Sequence, residues 1–225
     1  MSFLLIASLV PAALAGGVSE RSGHVNDPGL MTLANQMQLF MEPELAFYYS
    51  PQFQWGVSQD MEAMLILGAR FGEEISTDAG LAALRYEVAD GFALSLGATF
   101  PVKSDGTYLG IYSGAYWTLN LSEGLTYTAN VALNLTAAKP DSSWIWHTSV
   151  VEYSLNADWS AYLEADWVIP ISKSPGDSDL NVFVGAQYNL NKTHALNAFV
   201  TIPFLPSVAP ENVSLGLTWA LAWNI

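Results

Sequence analysis

A histidine and a serine two residues apart offer the clearest nucleophilic chemistry in the chain. Only Thr148 separates His147 from Ser149, and in an extended strand side chains at this spacing point to the same side. A histidine beside a serine hydroxyl can act as the general base that activates it. The pair therefore indicates a candidate hydrolase site, although no acid or amide on the same face is evident to orient the histidine, because Glu152 alternates to the other side.

Two carboxylates form a second candidate site. Glu164 and Asp166 also share one side of a strand, with about 6.5–7 Å between their positions. Such a pair can hold Ca²⁺ together with loop oxygens, or do acid–base work, but a role in lining the interior of the fold is the interpretation we favour. There is no Cys, the three histidines lie far apart, and no zinc spacing or nucleotide motif is present. We therefore expect no metal and no cofactor.

The composition of the chain argues against several classes of protein, among them ordinary soluble domains, helical membrane proteins and nucleic-acid binders. Hydrophobic residues make up 51% of the 225 residues, whereas charged residues make up only 12%, about half the share in soluble domains. No apolar run reaches the roughly 18–20 residues of a membrane helix. A net charge of −14 argues against nucleic acid as a partner, because phosphate binding needs clustered Lys and Arg.

The dominant hydrophobic period from about residue 36 is two, which predicts strands. The last segment shows it best, with large apolar residues on one face and small or polar ones on the other: Val213, Leu215, Leu217, Trp219, Leu221, Trp223 and Ile225 alternate with Ser214, Gly216, Thr218, Ala220, Ala222 and Asn224. Nearly every strand repeats this pattern, and no helix is predicted to cover the apolar faces. An apolar face of this kind is typical of a barrel wall that contacts lipid.

An aromatic residue recurs before each tight turn, at intervals of 31, 31, 36 and 35 residues. Each interval fits one hairpin of two strands. Rings at one height favour a belt at the membrane interface, and its predicted members are Trp55, Tyr86, Trp117, Tyr153, Tyr188 and Trp223. Five tight turns and twelve strands predict an all-β fold, a closed antiparallel up-and-down transmembrane β-barrel of about 12 strands over residues 36–225. A β-sandwich with core aromatics is the alternative.

The N-terminal residues do not share the strand pattern. Residues 1–15 resemble a secretory signal, with an apolar core and the small-residue exit Ala13-Leu14-Ala15, but they lack a positively charged start. We interpret residues 16–35 as a flexible periplasmic lead-in. Whether part of this region plugs the pore is left open.

Three C-terminal motifs resemble a known family. They are Trp159-Ser-Ala-Tyr-Leu-Glu164, Val182-Phe-Val-Gly-Ala-Gln-Tyr188 with the following Asn-Leu-Asn, and Ser214-Leu-Gly-Leu-Thr-Trp219. They resemble the outer-membrane family named for the MetA pathway of phenol degradation, over roughly residues 144–225. The resemblance implies a membrane barrel assigned as a transporter or channel for small, often aromatic, compounds. Such barrels usually end in Phe or Trp, the signal read by the barrel-assembly machinery, whereas this chain ends in Ile225.

Alternation also assigns the residues that line the lumen. The predicted lining residues are Glu62, Arg70, Arg85, Glu87, Tyr112, Tyr116, Trp146, Glu152, Tyr162, Glu164 and Asp166. Five acids against two arginines make this lining mildly negative, which favours cations. As alternatives, the arginines pair with acids to brace the wall, and the rings simply fill the lumen.

These observations predict an integral channel of the bacterial outer membrane that passes a small solute, with an aromatic or hydrophobic solute favoured. It is not expected to be an enzyme. Its expected partners are outer-membrane lipids and lipopolysaccharide, the solute, and the barrel-assembly machinery acting on the C-terminal strand. Two alternatives stay open, namely an outer-membrane lipid hydrolase using His147 and Ser149, and a structural barrel that transports nothing.

Overall fold

The computed structural model describes most of the chain beyond residue 21. The described residues are 22–40, 45–71, 75–77, 79–101, 109–136, 143–171, 178–191, 193–204 and 213–225. The signal-like segment 1–15 and residues 16–21 of the predicted lead-in lie outside them. Within the described ranges, no helix has the length and hydropathy needed to cross a membrane.

Fourteen β-segments run through the described residues. They are β1 (Leu30–Phe40), β2 (Ala46–Ser58), β3 (Met61–Ile66), β4 (Ala69–Phe71), β5 (Ile75–Thr77), β6 (Ala79–Ala89), β7 (Phe92–Pro101), β8 (Gly110–Ser122), β9 (Leu125–Thr136), β10 (Trp144–Ser154), β11 (Trp159–Pro170), β12 (Asp179–Asn191), β13 (His194–Pro203) and β14 (Ser214–Asn224). Because β3 and β4 both pair with β2, they form one barrel strand, and β5 and β6 form the next in the same way. The sheet therefore has twelve barrel strands.

The sheet closes on itself. β1 pairs antiparallel with β2 on one side and with β14 on the other, from Leu30 opposite Asn224 to Phe40 opposite Ser214. Every pairing in between is antiparallel and joins neighbouring segments. The predicted twelve-stranded up-and-down barrel is thus confirmed, and a two-layer sandwich is excluded. Among the described strands closure leaves no unpaired edge, which is a requirement for strands in lipid.

The two faces of the wall differ in the way that the sequence pattern predicts. On β14, Leu215, Leu217 and Trp219 face outward and are 41–48% exposed, whereas the inward Ser214 and Thr218 are buried. The exposed outward side chains of the other strands include many large apolar ones. Such a surface is stable against hydrocarbon and would associate in water.

All five tight connections lie at one end of the barrel, which we call the tight-turn end. They join β2 to β3, β6 to β7, β8 to β9, β10 to β11 and β12 to β13. Gly91 and Gly124 have φ of 70° and 75°, a conformation that other residues rarely adopt. Leu30 and Asn224 also lie at this end, where the Ile225 N–H donates to the Gly29 carbonyl at 3.0 Å.

The first strand differs from its prediction. β1 begins at Leu30 rather than at residue 36, so residues 30–35 belong to the barrel and not to a lead-in. Asn35 explains the difference, because it places an amide in the outward apolar row. The structure satisfies that amide with the Tyr49 hydroxyl at 2.8 Å and the Trp219 carbonyl at 3.5 Å.

A proline accounts for the interruption between β3 and β4. Pro51 lies within β2 and has no N–H to donate to the facing Leu67. The Leu67 N–H still donates to the Pro51 carbonyl at 3.1 Å, but the Leu67 carbonyl accepts instead from the Ser50 hydroxyl at 2.7 Å. A side chain thus replaces the missing backbone donor.

Candidate functional site in the barrel lumen

A fully buried ion pair crosses two neighbouring strands on the inner wall. Glu62 of β3 and Arg85 of β6 face each other in register, with 2.6 Å between Oε1 and Nη2, and their side chains are 0% and 1% exposed. The guanidinium also lies over the Tyr116 ring, 5.3 Å from its centroid. Arg85 therefore braces the wall, which is the alternative that the sequence left open.

Residues 22–29, which we call the mouth segment, enter the lumen at the tight-turn end. Three of their backbone N–H groups donate to inward side chains: Gly23 to Thr118 Oγ1 at 2.9 Å, Val25 to Glu87 Oε2 at 3.0 Å, and Asn26 to Glu62 Oε2 at 2.8 Å. In the reverse direction, Arg85 Nη2 donates to the His24 carbonyl at 3.0 Å. Because charge-assisted hydrogen bonds are the stronger ones, this end of the lumen holds the segment firmly.

Two glycines permit the close approach of the mouth segment. A Cβ on Gly23 would lie 1.9 Å from the Gly91 carbonyl oxygen, and one on Gly56 would lie 2.0 Å from the Asp27 carbonyl oxygen. Since both obstacles are backbone atoms, no side-chain movement could relieve the contact. The sequence left open whether this region plugs the pore and did not predict these contacts, because they join residues 36–95 positions apart.

Three carboxylates form a column on the inner faces of β10 and β11. In the register of these strands, Glu152 lies opposite Tyr162, while Glu164 and Asp166 occupy the next two inward levels. Successive inward positions on a strand are about 6.6–6.8 Å apart. All three carboxylate side chains are buried, at 7%, 0% and 7% exposure respectively. Carboxyl groups are therefore distributed along the lumen and are not confined to its mouth.

An aromatic cluster lies toward the end opposite the tight turns. The Trp144 ring meets Tyr112 at 6.4 Å and Trp146 at 6.3 Å between centroids, both edge to face. Buried Met64 and Leu81 belong to the same apolar cluster, and Trp146 is only partly buried against it. An apolar or aromatic molecule entering from this end would meet rings before it meets carboxylates.

Other rings lie against the wall because glycines make room for them. Tyr162 stands opposite Gly185, where an added Cβ would be 2.3 Å from its ring, and its hydroxyl donates to Asn197 Oδ1 at 2.8 Å. Phe199 covers Gly216 in the same manner. Ring over glycine is a recurrent cross-strand arrangement.

The lumen is closely filled at the levels of these residues. Tyr112 and Tyr116 are 0% exposed, and their hydroxyls lie 2.5 Å apart. Gln187 on β12 is 0% exposed as well. The lumen is therefore narrow at these levels.

Two further predicted lining residues lie outside the closely filled levels. Glu87 lies near the mouth at 18% exposure. Of Arg70 only the backbone is described, in β4 opposite Tyr48.

The predicted interface aromatics lie on the outer surface near the tight-turn end. Met31 lies between Trp223 and Trp55 in register, which places both tryptophans at one level. Four of the six predicted rings are 40–52% exposed, namely Trp55, Tyr86, Tyr153 and Trp223. The other two, Trp117 and Tyr188, are partly buried. Trp159, which was not predicted as a member, stacks on Tyr188 at 4.6 Å.

His147 and Ser149 are in contact on the outward face of β10. Ser149 Oγ lies 3.0 Å from His147 Nε2, and His147 Nδ1 lies 2.7 Å from the backbone carbonyl of Asn130. The Tyr127 hydroxyl is 3.1 Å from Ser149 Oγ. A carbonyl acceptor fixes the proton on Nδ1 and leaves Nε2 free to accept from the serine. No acid takes part in the described contacts of this group.

Solved structures similar to this chain include two porins and an outer-membrane channel. An outer membrane channel from Pseudomonas putida F1 aligns with a TM-score of 0.63 at 10% identity, covering 89% of this chain and 98% of that one. The NanC porin aligns at 0.58 with 11% identity over 86% and 100% of the two chains, and the KdgM porin at 0.55 with 11% identity over 86% and 99%. At these identities the likeness shows the barrel fold. No protein-family model matches the chain, and no curated protein sequence matches it.

Proposed function

We propose that this chain is a channel of the bacterial outer membrane that passes small solutes. The observation that carries the proposal is a closed twelve-stranded barrel whose outer wall is apolar while its inner wall carries carboxylates and aromatic rings. An apolar exterior suits lipid, and polar groups along the inside provide a route for a solute. The porin and channel names of the similar structures support the same function and the same membrane.

The lining supports a preference for cations and for solutes with an apolar or aromatic body. Among the described inward side chains, five carry a carboxyl group and one carries a guanidinium. The acids are Glu62, Glu87, Glu152, Glu164 and Asp166, and the base is Arg85. A solved KdgM porin is in complex with disordered oligogalacturonate, whose sugar units carry carboxylates. The lining of this chain would repel such a polyanion, so we propose a different solute class.

Conductance in a planar bilayer tests this function. The purified chain is expected to give small conductance steps, because the described lumen is closely filled. Under a KCl gradient the reversal potential is expected to have the sign of a K⁺-selective pore. Selectivity for Cl⁻ would contradict the proposed lining, and a silent bilayer after verified insertion would favour a structural barrel.

The resemblance to the family named for the MetA pathway remains a prediction, since no comparison tests it. The same holds for lipopolysaccharide and the barrel-assembly machinery as partners. The exposed apolar outer surface supports contact with outer-membrane lipid, and the ordered pairing of β14 with β1 supports a role for the C-terminal strand in assembly.

Hydrolysis of lipid esters is a second candidate, favoured by the 3.0 Å contact between Ser149 Oγ and His147 Nε2. The same contacts also satisfy polar groups that face hydrocarbon, where an unpaired group is costly. Release of fatty acid from phospholipid, compared between wild type and Ser149→Ala, separates the two explanations. Equal release would end the hydrolase hypothesis, and loss in the variant would establish it.

A further inference from the structure

We propose that His24, Glu87 and Asp90 bind a divalent transition-metal ion, with Zn²⁺ as the representative, and that the ion fastens the mouth segment to the turn between β6 and β7. The three residues come from two parts of the chain, 63 positions apart at the closest contact. Their ligand atoms all lie within 4.8 Å of one another. The spacing of His24, Glu87 and Asp90 in the sequence matches no metal-binding motif, and we expected no metal from the sequence.

The distances suit a tetrahedral ion. His24 Nδ1 lies 3.0 Å from Glu87 Oε1 and 3.8 Å from Asp90 Oδ1. Two ligands of a tetrahedral Zn²⁺, at about 2.0–2.2 Å from the metal, are about 3.4 Å apart. The observed separations bracket that value, and Asp90 is fully exposed at the rim, so its side chain can rotate toward the ion. Water would complete the coordination.

Backbone donors already orient the central ligand. Gly91 N–H donates to Glu87 Oε1 at 3.1 Å, and Val25 N–H donates to Oε2 at 3.0 Å. Hydrogen bonds of this kind hold a ligating carboxylate in place and tune its affinity. Each carboxylate oxygen retains a second lone pair for the metal. His24 Nδ1 and Glu87 Oε1 lie 3.0 Å apart, so an ion held by both atoms would take the place of their direct contact.

The local charge favours a cation. Among the described side chains, Arg85 is the positive group that contacts the mouth segment, and its partner Glu62 lies 2.6 Å from it and balances its charge. The two carboxylates of the site and the overall charge of −14 attract divalent ions to this end. One imidazole with two carboxylates suits Zn²⁺ and its neighbours, whereas Ca²⁺ and Mg²⁺ prefer ligand sets made of oxygen alone.

Metal titration of the purified full chain tests the site directly. The protein, without a polyhistidine tag and after chelator treatment, is titrated with ZnCl₂ by calorimetry, and with CoCl₂ for its visible absorption bands. We expect one ion per chain, and we expect His24→Ala and Asp90→Asn each to raise the Kd about tenfold or more. His194→Ala and Glu123→Gln, outside the site, serve as matched controls and should leave the Kd unchanged.

Absence of binding in the wild type, or equal Kd in wild type and His24→Ala, would overturn the site. Fastening is tested separately by limited proteolysis within the mouth segment, which Zn²⁺ should slow in the wild type but not in His24→Ala. Neither measurement depends on transport. A chain that binds Zn²⁺ at His24 yet never conducts would refute the proposed channel and leave the metal site intact.

Discussion

The Glu62–Arg85 pair has almost no access to water, and this determines how substitutions at either residue should act. Both side chains are at most 1% exposed, and the pair also holds Asn26 and His24 of the mouth segment. Removing one member of such a pair leaves an uncompensated charge in a medium that solvates it poorly. Removing both members leaves none.

Arg85→Met is expected to lower the free energy of unfolding by about 3–5 kcal/mol. The double variant Glu62→Gln with Arg85→Met should recover most of that loss. Urea unfolding in lipid vesicles, followed by tryptophan fluorescence, measures both. If Arg85→Met is as stable as the wild type, the pair is in contact with water, which would contradict the structure.

The acidic column is expected to set ion selectivity. Glu152→Gln combined with Asp166→Asn removes two of its three charges while keeping the side-chain volumes. The cation preference should fall several-fold, and the difference from wild type should shrink in concentrated salt because screening weakens the field. Reversal potentials under a salt gradient measure the cation preference, and Glu123→Gln serves as the control. An unchanged potential would mean that ions do not pass the column.

The inward positions of these acids could be predicted from the sequence, because a strand alternates its faces and only one face can carry charge in lipid. The groups that contact the inward acids could not be predicted in the same way. Alternation says that Glu87 points inward, but its contact with His24 depends on the chain returning into the lumen before β1 begins. No local pattern encodes that return.

Strands and turns were the most predictable elements. The period of two and the five tight turns predicted twelve strands in a closed barrel, since a wall between lipid and lumen imposes the alternation along its length. The start of β1 was not predicted, because Asn35 breaks its outward apolar row. Its amide is satisfied by neighbouring strands, which a single-strand pattern cannot show.

Ring-over-glycine pairs are expected to fix the inner diameter where β13 meets β14. Gly216→Ala places a Cβ 2.0 Å from the Phe199 ring, so the ring must leave the wall. We expect a loss of about 1–3 kcal/mol in unfolding free energy together with smaller conductance steps. Adding Phe199→Leu should restore both, and failure of this rescue would contradict the steric cause.

At the scale of the whole molecule, the mouth segment is expected to restrict the lumen. A variant lacking residues 22–28 loses the donors to Thr118, Glu87 and Glu62 and should conduct several-fold more than the wild type in planar bilayers. A variant in which Gly and Ser replace the same seven residues keeps the chain length and serves as the comparison. Equal conductance in wild type and deletion would show that the segment does not limit flow.

The mouth segment joins the barrel directly at Leu30, beside the seam between β1 and β14. When its contacts break, it stays tethered there, with a reach of about 26–29 Å for eight extended residues. Return to the lumen is then an intramolecular event, for which short flexible tethers give effective concentrations of about millimolar. Its rebinding rate should therefore not depend on protein concentration. A free peptide of the same sequence would have to reach similar concentrations to compete.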